Sequence, residues 1–291
     1  MISKITGGET NHLFKALVLQ KFEVDFYQCI DTGFIQTQEP YWLDEAYSSA
    51  ITSLDIGLVK RNIALADITE KIIGENLNPT KQFVDFAGGY GLFTRMMRDK
   101  GYAFYHTDKF CDNLFAKYFD INDIKKYADY EILTAFELFE HLPHPITAIK
   151  EMFLFSDTIL FSTELVPKHK MNSASDWWYF SPETGQHVSF YTLEALQNIA
   201  KQLNAKLFTN NSSLHLFTRK EGFSGNIFAE VKHIFSGTKV RRWDTSKRSP
   251  LQKMKKFCKE TLSGKYIDQQ QSLLQKDYEF VKSIITTKST S

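Results

Sequence analysis

Cysteine is scarce. The three residues, Cys29, Cys111 and Cys258, are odd in number, lie far apart and form no C-x-x-C pair. This excludes a disulfide framework and a zinc ribbon, and it fits a reducing compartment, so a cytoplasmic protein is expected. Long apolar runs are also missing. No stretch of about 18 apolar residues occurs, so no membrane span is expected. The first residues, MISKITGGETNHLF, lack the apolar run of a signal peptide. An excess of one charge is absent too: the formal net charge is +1, which argues against a chain-wide grip on nucleic acid. The sequence has no internal repeat and no low-complexity tract.

Rings are plentiful. Phe and Tyr number 25 and 13, and aromatics make up 14% of 291 residues, enough for a ring-rich core and an aromatic-lined pocket. Hydrophobic residues at 43% and charged residues at 24% are ordinary globular values. The balanced charge hides an asymmetry: from Glu221 to Ser291 there are 14 Lys and Arg against 7 Asp and Glu. The chain therefore reads as an N-terminal cap or lid segment over 1–77, a core over 78–220, and a basic helical extension over 221–291. Ser249-Pro250 is a helix-start signal within the extension, and a last helix is expected through QQSLLQKDYEFVKSIIT. Between Lys239 and Lys259 nine bases face one acid, Asp244. Such a run is ordinarily a solvated helix face; its functional reading is a phosphate-rich partner, whether anionic membrane, nucleotide-linked sugar or RNA.

From residue 81 short apolar strands alternate with helices. KQFVDFAGG, YAFYHTD, DYEILTAF and DTILFSTEL read as strands, and YGLFTRMMRDKG and PITAIKEMFLF as helices. SFYTLEALQNIAKQLN is amphipathic, with Leu193, Leu196, Ile199, Ala200 and Leu203 at helical spacing, and AKLFTNNSSLHLFTRK is a strand pair around an Asn-Asn-Ser turn. This order predicts an α/β fold, a doubly wound and mostly parallel sheet covered on both faces. Upstream, Pro40 suits the first turn of a helix running through LDEAYSSAI, and NIALADITEKIIGENL is a long amphipathic helix. The N-terminal segment is accordingly expected to be a helical cap.

The strongest chemical signal is Asp85-Phe-Ala87-Gly88-Gly89-Tyr-Gly91, where a strand ends and a helix begins. Glycines there let the backbone turn sharply and approach a ligand closely, and the carboxyl end of such a strand is where open α/β sheets bind ligands. Asp108 closes the next strand, 17 residues past Gly91. A carboxylate there can accept both hydroxyls of a ribose, and Asp85 can orient the loop or meet an ammonium group. The alternative is a plain connecting turn. A dinucleotide loop would read G-x-G-x-x-G, which glycines at 88, 89 and 91 do not match.

VDFAGGYGLFTRMMRDKGY followed by HTD resembles the first two motifs of the class I S-adenosylmethionine-dependent methyltransferases, with Ala87 in place of the first glycine. DYEILTAFELFEHLPHP resembles the fourth-strand motif of that family, and WWYFSPETGQHVSFYTLEALQNIAKQL a later segment in which a His precedes a helix start. The resemblance covers about residues 78–220. It implies a seven-stranded sheet, S-adenosyl-L-methionine as cofactor, and methyl transfer to an oxygen, less readily a nitrogen, of a small molecule or a sugar, surface polysaccharides included. By the same resemblance Asp85, Ala87, Gly88, Gly89 and Gly91 surround the methionine part, Asp108 holds the ribose, Asp120 lies near the adenine, and Phe136 belongs to the cofactor site.

Methyl transfer needs alignment above all, and a protonated nucleophile also needs a base. His141, His144 and His187 are the candidates, because an imidazole titrates near neutrality. Glu140 and His141 follow the fourth strand at the substrate edge, either as polar contacts or as a helix-start motif. His187 is either the base or acceptor contact, or a structural His bonded to a carbonyl. Pro143 between His141 and His144 spoils a helical ligand pair, so no metal site is expected. Trp177, Trp178 and Tyr179 either stack on a ligand or anchor a loop. Tyr41, Trp42, Tyr47 and Arg61 are lid or acceptor candidates. Two rivals remain on the sequence: an RNA methyltransferase using the basic extension, and a non-catalytic cofactor-binding scaffold. An NAD oxidoreductase is a third.

Overall fold

The computed structural model describes residues 1–47, 55–123, 129–228 and 273–288. The basic run 239–259, the helix expected from Ser249, Cys258 and the end of the helix expected through Ile51 lie outside them. Among the described residues no helix is long and apolar enough to cross a membrane.

The N-terminal segment is not the expected helical cap. It opens with two long antiparallel strands, β1 (Thr10–Val18) and β2 (Phe22–Cys29), followed by β3 (Ile35–Thr37). Phe14, Ala16 and Val18 on β1 and Val24 and Phe26 on β2 recur at every second position and face inward, the period of a half-buried strand. The hairpin turn places Leu19 and Gln20 at φ 51° and 55°, positions that Asn-Gly usually fills. Much later in the chain β8 (Ser189–Phe190) pairs with β3, completing a four-stranded sheet in the order β1-β2-β3-β8.

Two helices follow β3: α1 (Leu43–Ala46), with Pro40 ahead of it, and α2 (Leu58–Asn76). The central sheet then alternates as expected: β4 (Gln82–Phe86), α3 (Leu92–Asp99), β5 (Ala103–Thr107), β6 (Leu133–Ala135), α4 (Pro145–Met152) and β7 (Thr158–Ser162). After β8 come α5 (Leu193–Gln202), β9 (Lys206–Thr209) and β10 (Leu214–Thr218); α6 (Leu274–Lys288) is the last described element. The helix expected over 189–204 thus gives its first two residues to β8, because Thr192 caps α5 by accepting from the Ala195 N–H at 3.0 Å.

The strand order is β5-β4-β6-β7-β10-β9, six strands among the described residues rather than seven. β5, β4, β6 and β7 pair parallel, and β10 runs antiparallel between β7 and β9. Beside β5, where another strand would sit, there is a single parallel bridge between His106 and Asp120. Alternate residues serve opposite faces. Phe83, Phe104, Ile132, Leu160 and Leu216 pack against α2 and α3, while Val84, Leu133, Phe161 and Phe217 pack with the residues of α4 and α5. Each such side chain contributes about 1.5–3 kcal/mol by leaving water. The carboxyl ends of β4, β5 and β6 open at one edge, and the loops leaving them build the site.

Candidate active-site cleft

Asp85 is almost the last residue of β4 and is 2% exposed. Its carboxylate accepts hydrogen bonds from Thr94 Oγ1 at 3.1 Å and Thr134 Oγ1 at 2.9 Å. Burial pushes its pKa up to about 6, against the opposing pull of His106 and the two hydroxyls. A Cβ on Gly88 would stand 2.3 Å from Asp85 Oδ2 and 2.9 Å from His106 Cδ2, so only glycine lets this turn close over the aspartate. Gly91 starts α3 at φ 82°, and a Cβ there would meet Asn113 Oδ1 at 2.2 Å. Ala87 sits at φ 55°, in the left-handed region, without being glycine.

Asp108 ties this turn to the next strand. Its Oδ2 accepts from the Gly89 N–H at 2.9 Å, and Oδ1 from the N–H groups of Phe110 and Cys111 at 2.7 and 2.9 Å. Beneath it, His106 bridges the Gly89 carbonyl and Asp120 Oδ1, both at 2.8 Å. Asp120 also accepts from Asn113 Nδ2. It is therefore a brace for the β5 end and is not among the residues lining the cleft.

The cleft holds about 800 Å³ and runs from the glycine turn to His187. Asp85, Ala87, Gly88, Gly89, Asp108 and Phe136 line its first half. Gly91 stands behind the turn, and Phe136 packs edge-on against Phe93 at 5.0 Å. Glu140, His141, His187, Trp178, Tyr179 and Tyr47 line the second half. The lip carries exposed rings, Phe110 at 69% and Trp178 at 67%, with Tyr47 stacked on Phe110 at 5.1 Å.

The second half contains a tight polar cluster. Glu140 is 0% exposed, and neither of its carboxyl oxygens has a hydrogen-bond partner. The hydroxyls of Thr163 and Tyr179, 3.4 Å apart, stand near it and pull its pKa down. Burial first, and Glu137 second, push the Glu140 pKa up to about 8. His141 Nδ1 lies 3.1 Å from the Gln186 carbonyl and 3.0 Å from Tyr47 Oη. His187 Nδ1 donates to the Tyr179 carbonyl at 2.6 Å. Because a carbonyl only accepts, both Nδ1 atoms carry the proton and both Nε2 atoms keep a lone pair. Burial lowers the two imidazole pKa values to about 3 for His141 and about 4 for His187. Their rings meet edge to face at 4.9 Å.

Three expected ligand contacts stand elsewhere. Trp42 is 2% exposed, donates from Nε1 to the Gly185 carbonyl at 2.8 Å, and packs with Trp177 in the core under the N-terminal sheet. Tyr41 is exposed against Phe22 and Trp42. None of these three lines the cleft, because the hairpin that sequence reading missed needs their rings as cover. His144 is exposed beside Glu39 at 3.7 Å, also away from the cleft. Sequence reading also missed Glu137, which lines the cleft, accepts from Ser162 Oγ at 2.7 Å and faces Arg61 Nε at 3.5 Å. Its three-residue spacing from Glu140 was the available signal.

A family model described as a methyltransferase domain matches residues 60–210. No curated protein matches the chain. Among solved structures, an O-methyltransferase family 2 protein from Planctomyces limnophilus in complex with apigenin is 11% identical, with 61% of this chain and 65% of that chain covered and a TM-score of 0.40. This chain therefore spans just under two thirds of that protein's length. A 1,6-didemethyltoxoflavin-N1-methyltransferase from Burkholderia thailandensis, with S-adenosylhomocysteine bound, is 11% identical over 65% of this chain and 95% of that chain, with a TM-score of 0.43. A magnesium protoporphyrin IX methyltransferase from Synechocystis PCC 6803 with bound S-adenosylmethionine is 12% identical over 62% and 90%, with a TM-score of 0.36.

Proposed function

The chain belongs to the methyltransferase-domain family, and from that premise we propose that it transfers the methyl group of S-adenosyl-L-methionine to an oxygen of a small molecule with a flat or ring-shaped face, sugars included. The observation that carries this reading is one continuous cleft with the glycine turn and Asp108 at one end and Glu140, His141 and His187 at the other. The cofactor takes the first half. Asp108 already positions Gly89 and keeps lone pairs for ribose hydroxyls, while Gly88 and Gly89 leave room for the methionine part. The cofactor brings a methyl already bonded to positively charged sulfur, so the protein's main task is alignment. The acceptor takes the second half, against the exposed rings of Phe110 and Trp178. Its nucleophile meets the polar cluster.

The test is calorimetry with the cofactor, followed by transfer of labelled methyl to a panel of hydroxylated ring compounds. Asp108→Asn keeps the side chain's shape and removes its charge. It is expected to weaken cofactor binding by about 1.5–3 kcal/mol, the usual worth of a hydrogen bond to a charged group. Unchanged affinity in that variant rejects the assignment of Asp108, and no cofactor binding by the unaltered protein rejects the activity.

A further inference from the structure

We propose that Glu140, His141 and His187 bind a divalent first-row cation, of which zinc is the type, at the acceptor end of the cleft. Their three donor atoms lie within 4.8 Å of one another, the only such His, Cys, Asp or Glu grouping among the described residues. The independent observation is Glu140. A carboxyl group wholly removed from solvent and without a hydrogen-bond partner is costly to keep. Its side chain stands 3.9 Å from His141 Nε2 at the nearest, inside the cavity wall. A cation supplies the partner that this carboxyl lacks.

The imidazoles are set up in the way ligands are. Each spends its Nδ1 proton on a backbone carbonyl, Gln186 for His141 and Tyr179 for His187. This fixes the tautomer and leaves Nε2 as the lone-pair nitrogen, the arrangement that orients metal-ligating histidines. Two imidazoles and one carboxylate suit zinc or its neighbours better than calcium or magnesium, which prefer all-oxygen sites. Ligands about 2.1 Å from a zinc ion lie roughly 3.4 Å apart. The donors must therefore close by about 1 Å on binding.

Three protein ligands leave a coordination position open toward the cleft, which is the pattern of a catalytic rather than a structural ion. On the methyltransferase reading above, the acceptor's hydroxyl oxygen takes that position. Its proton passes to solvent on binding, because the ion lowers the hydroxyl's pKa. The oxygen then forms its bond to the methyl carbon as the carbon–sulfur bond breaks, and S-adenosylhomocysteine leaves. No other base is then required. His187 and His141 lie 46 residues apart in sequence, so no local spacing announces the site.

The experiment uses the full chain stripped with chelator and titrated with Co(II), whose absorption reports ligand geometry, and with Zn(II) by calorimetry. A saturable one-to-one transition with the visible bands of a site containing nitrogen ligands is expected. Glu140→Gln and His187→Ala should each abolish it while leaving S-adenosylhomocysteine affinity unchanged, which shows that the variants fold. Absence of saturable binding by the unaltered chain overturns the proposal, as does binding that survives both substitutions. Methyl transfer should fall on stripping and return with metal; transfer that ignores stripping overturns the acceptor-holding role. A chain that binds Co(II) through these residues but takes up no cofactor keeps the metal site and rejects the methyltransferase reading, so the two failures are distinct.

Discussion

Two residues of the glycine turn make the fold's local demands measurable. Ala87 occupies φ 55°, where a Cβ costs roughly 1–2 kcal/mol. Ala87→Gly removes that strain but adds about 0.4–1 kcal/mol of unfolded-state freedom. The net expectation is a rise in melting temperature of a few degrees, about 2–4 °C per kcal/mol for a chain of this size. A drop on calorimetric melting would show that the methyl's contacts outweigh the strain. Asp85 gives a pH signature. Its pKa is raised from 3.8 to about 6 by burial, with His106 and Asp108 the charged groups acting on it and Thr94 and Thr134 donating to it. Between these values the folded state holds a proton that the unfolded state has released. The site's contribution is therefore complete below the unfolded value and is lost as pH rises through about 6. Asp85→Asn should gain about 1–3 kcal/mol relative to the unaltered protein on going from pH 4 to pH 7 in urea unfolding. An equal difference at both pH values would remove Asp85 as the titrating group. The glycine turn and Asp108 were legible because their chemistry is local. His187 was expected beside Glu140 and His141 only through the family resemblance, since no local spacing joins them and they meet once β8 has brought residue 187 back over the fourth-strand loop.

At the scale of elements, alternation and periodicity located every described strand and helix of the central sheet, whereas the N-terminal hairpin stayed hidden. Its strands carry the proper period of two, but the turn uses Leu19 and Gln20 where glycine or asparagine would have signalled it. Aromatics at 41 and 42 looked like pocket residues for the same reason: the sheet they cover was not foreseen. The docking of α6 could not be read from sequence at all, because it depends on a pair 179 residues apart. Arg98 donates from Nε and a terminal nitrogen to the two oxygens of Asp277 at 2.7 Å each, and its guanidinium lies 3.7 Å over the Phe119 ring. Both charged side chains are nearly inaccessible, 6% and 5% exposed. Asp277→Ala leaves the Arg98 guanidinium buried with, among the described residues, only Phe104's carbonyl as a hydrogen-bond partner, takes a 3.0 Å partner from Arg95 as well, and should cost about 3–5 kcal/mol. Pairing it with Arg98→Met should recover much of that loss, since an apolar pair of similar volume is often neutral. Chemical denaturation of the two single variants and the double variant decides this, and additive losses would mean that the pair is not coupled.

On the scale of the whole molecule, the segments on either side of residue 77 are expected to fold as one unit. β8 comes from the core's stretch of sequence yet forms the fourth strand of the N-terminal sheet. Hydrogen bonds cross the boundary at Trp42 to Gly185, Gln186 to Ala46, Thr192 to Thr32 and Tyr47 to His141. Of these residues Tyr47, His141 and Gln186 line the cleft, so removing the first segment would strip the acceptor half of part of its wall and uncover Phe180 and Phe190, which pack on Phe26. The intact chain should therefore melt in one calorimetric transition, with van't Hoff and calorimetric enthalpies equal. S-adenosylhomocysteine at 100 times its dissociation constant should stabilise the whole of that transition by about 2.7 kcal/mol, although the residues assigned to it, from the glycine turn to Asp108 and Phe136, all come from the core's stretch of sequence. A chain starting at residue 78 should show no cooperative transition. Two transitions in the intact chain, with only one displaced by ligand, would mean that the sheets fold independently. The acceptor wall would then be a separate module docked on the cofactor domain.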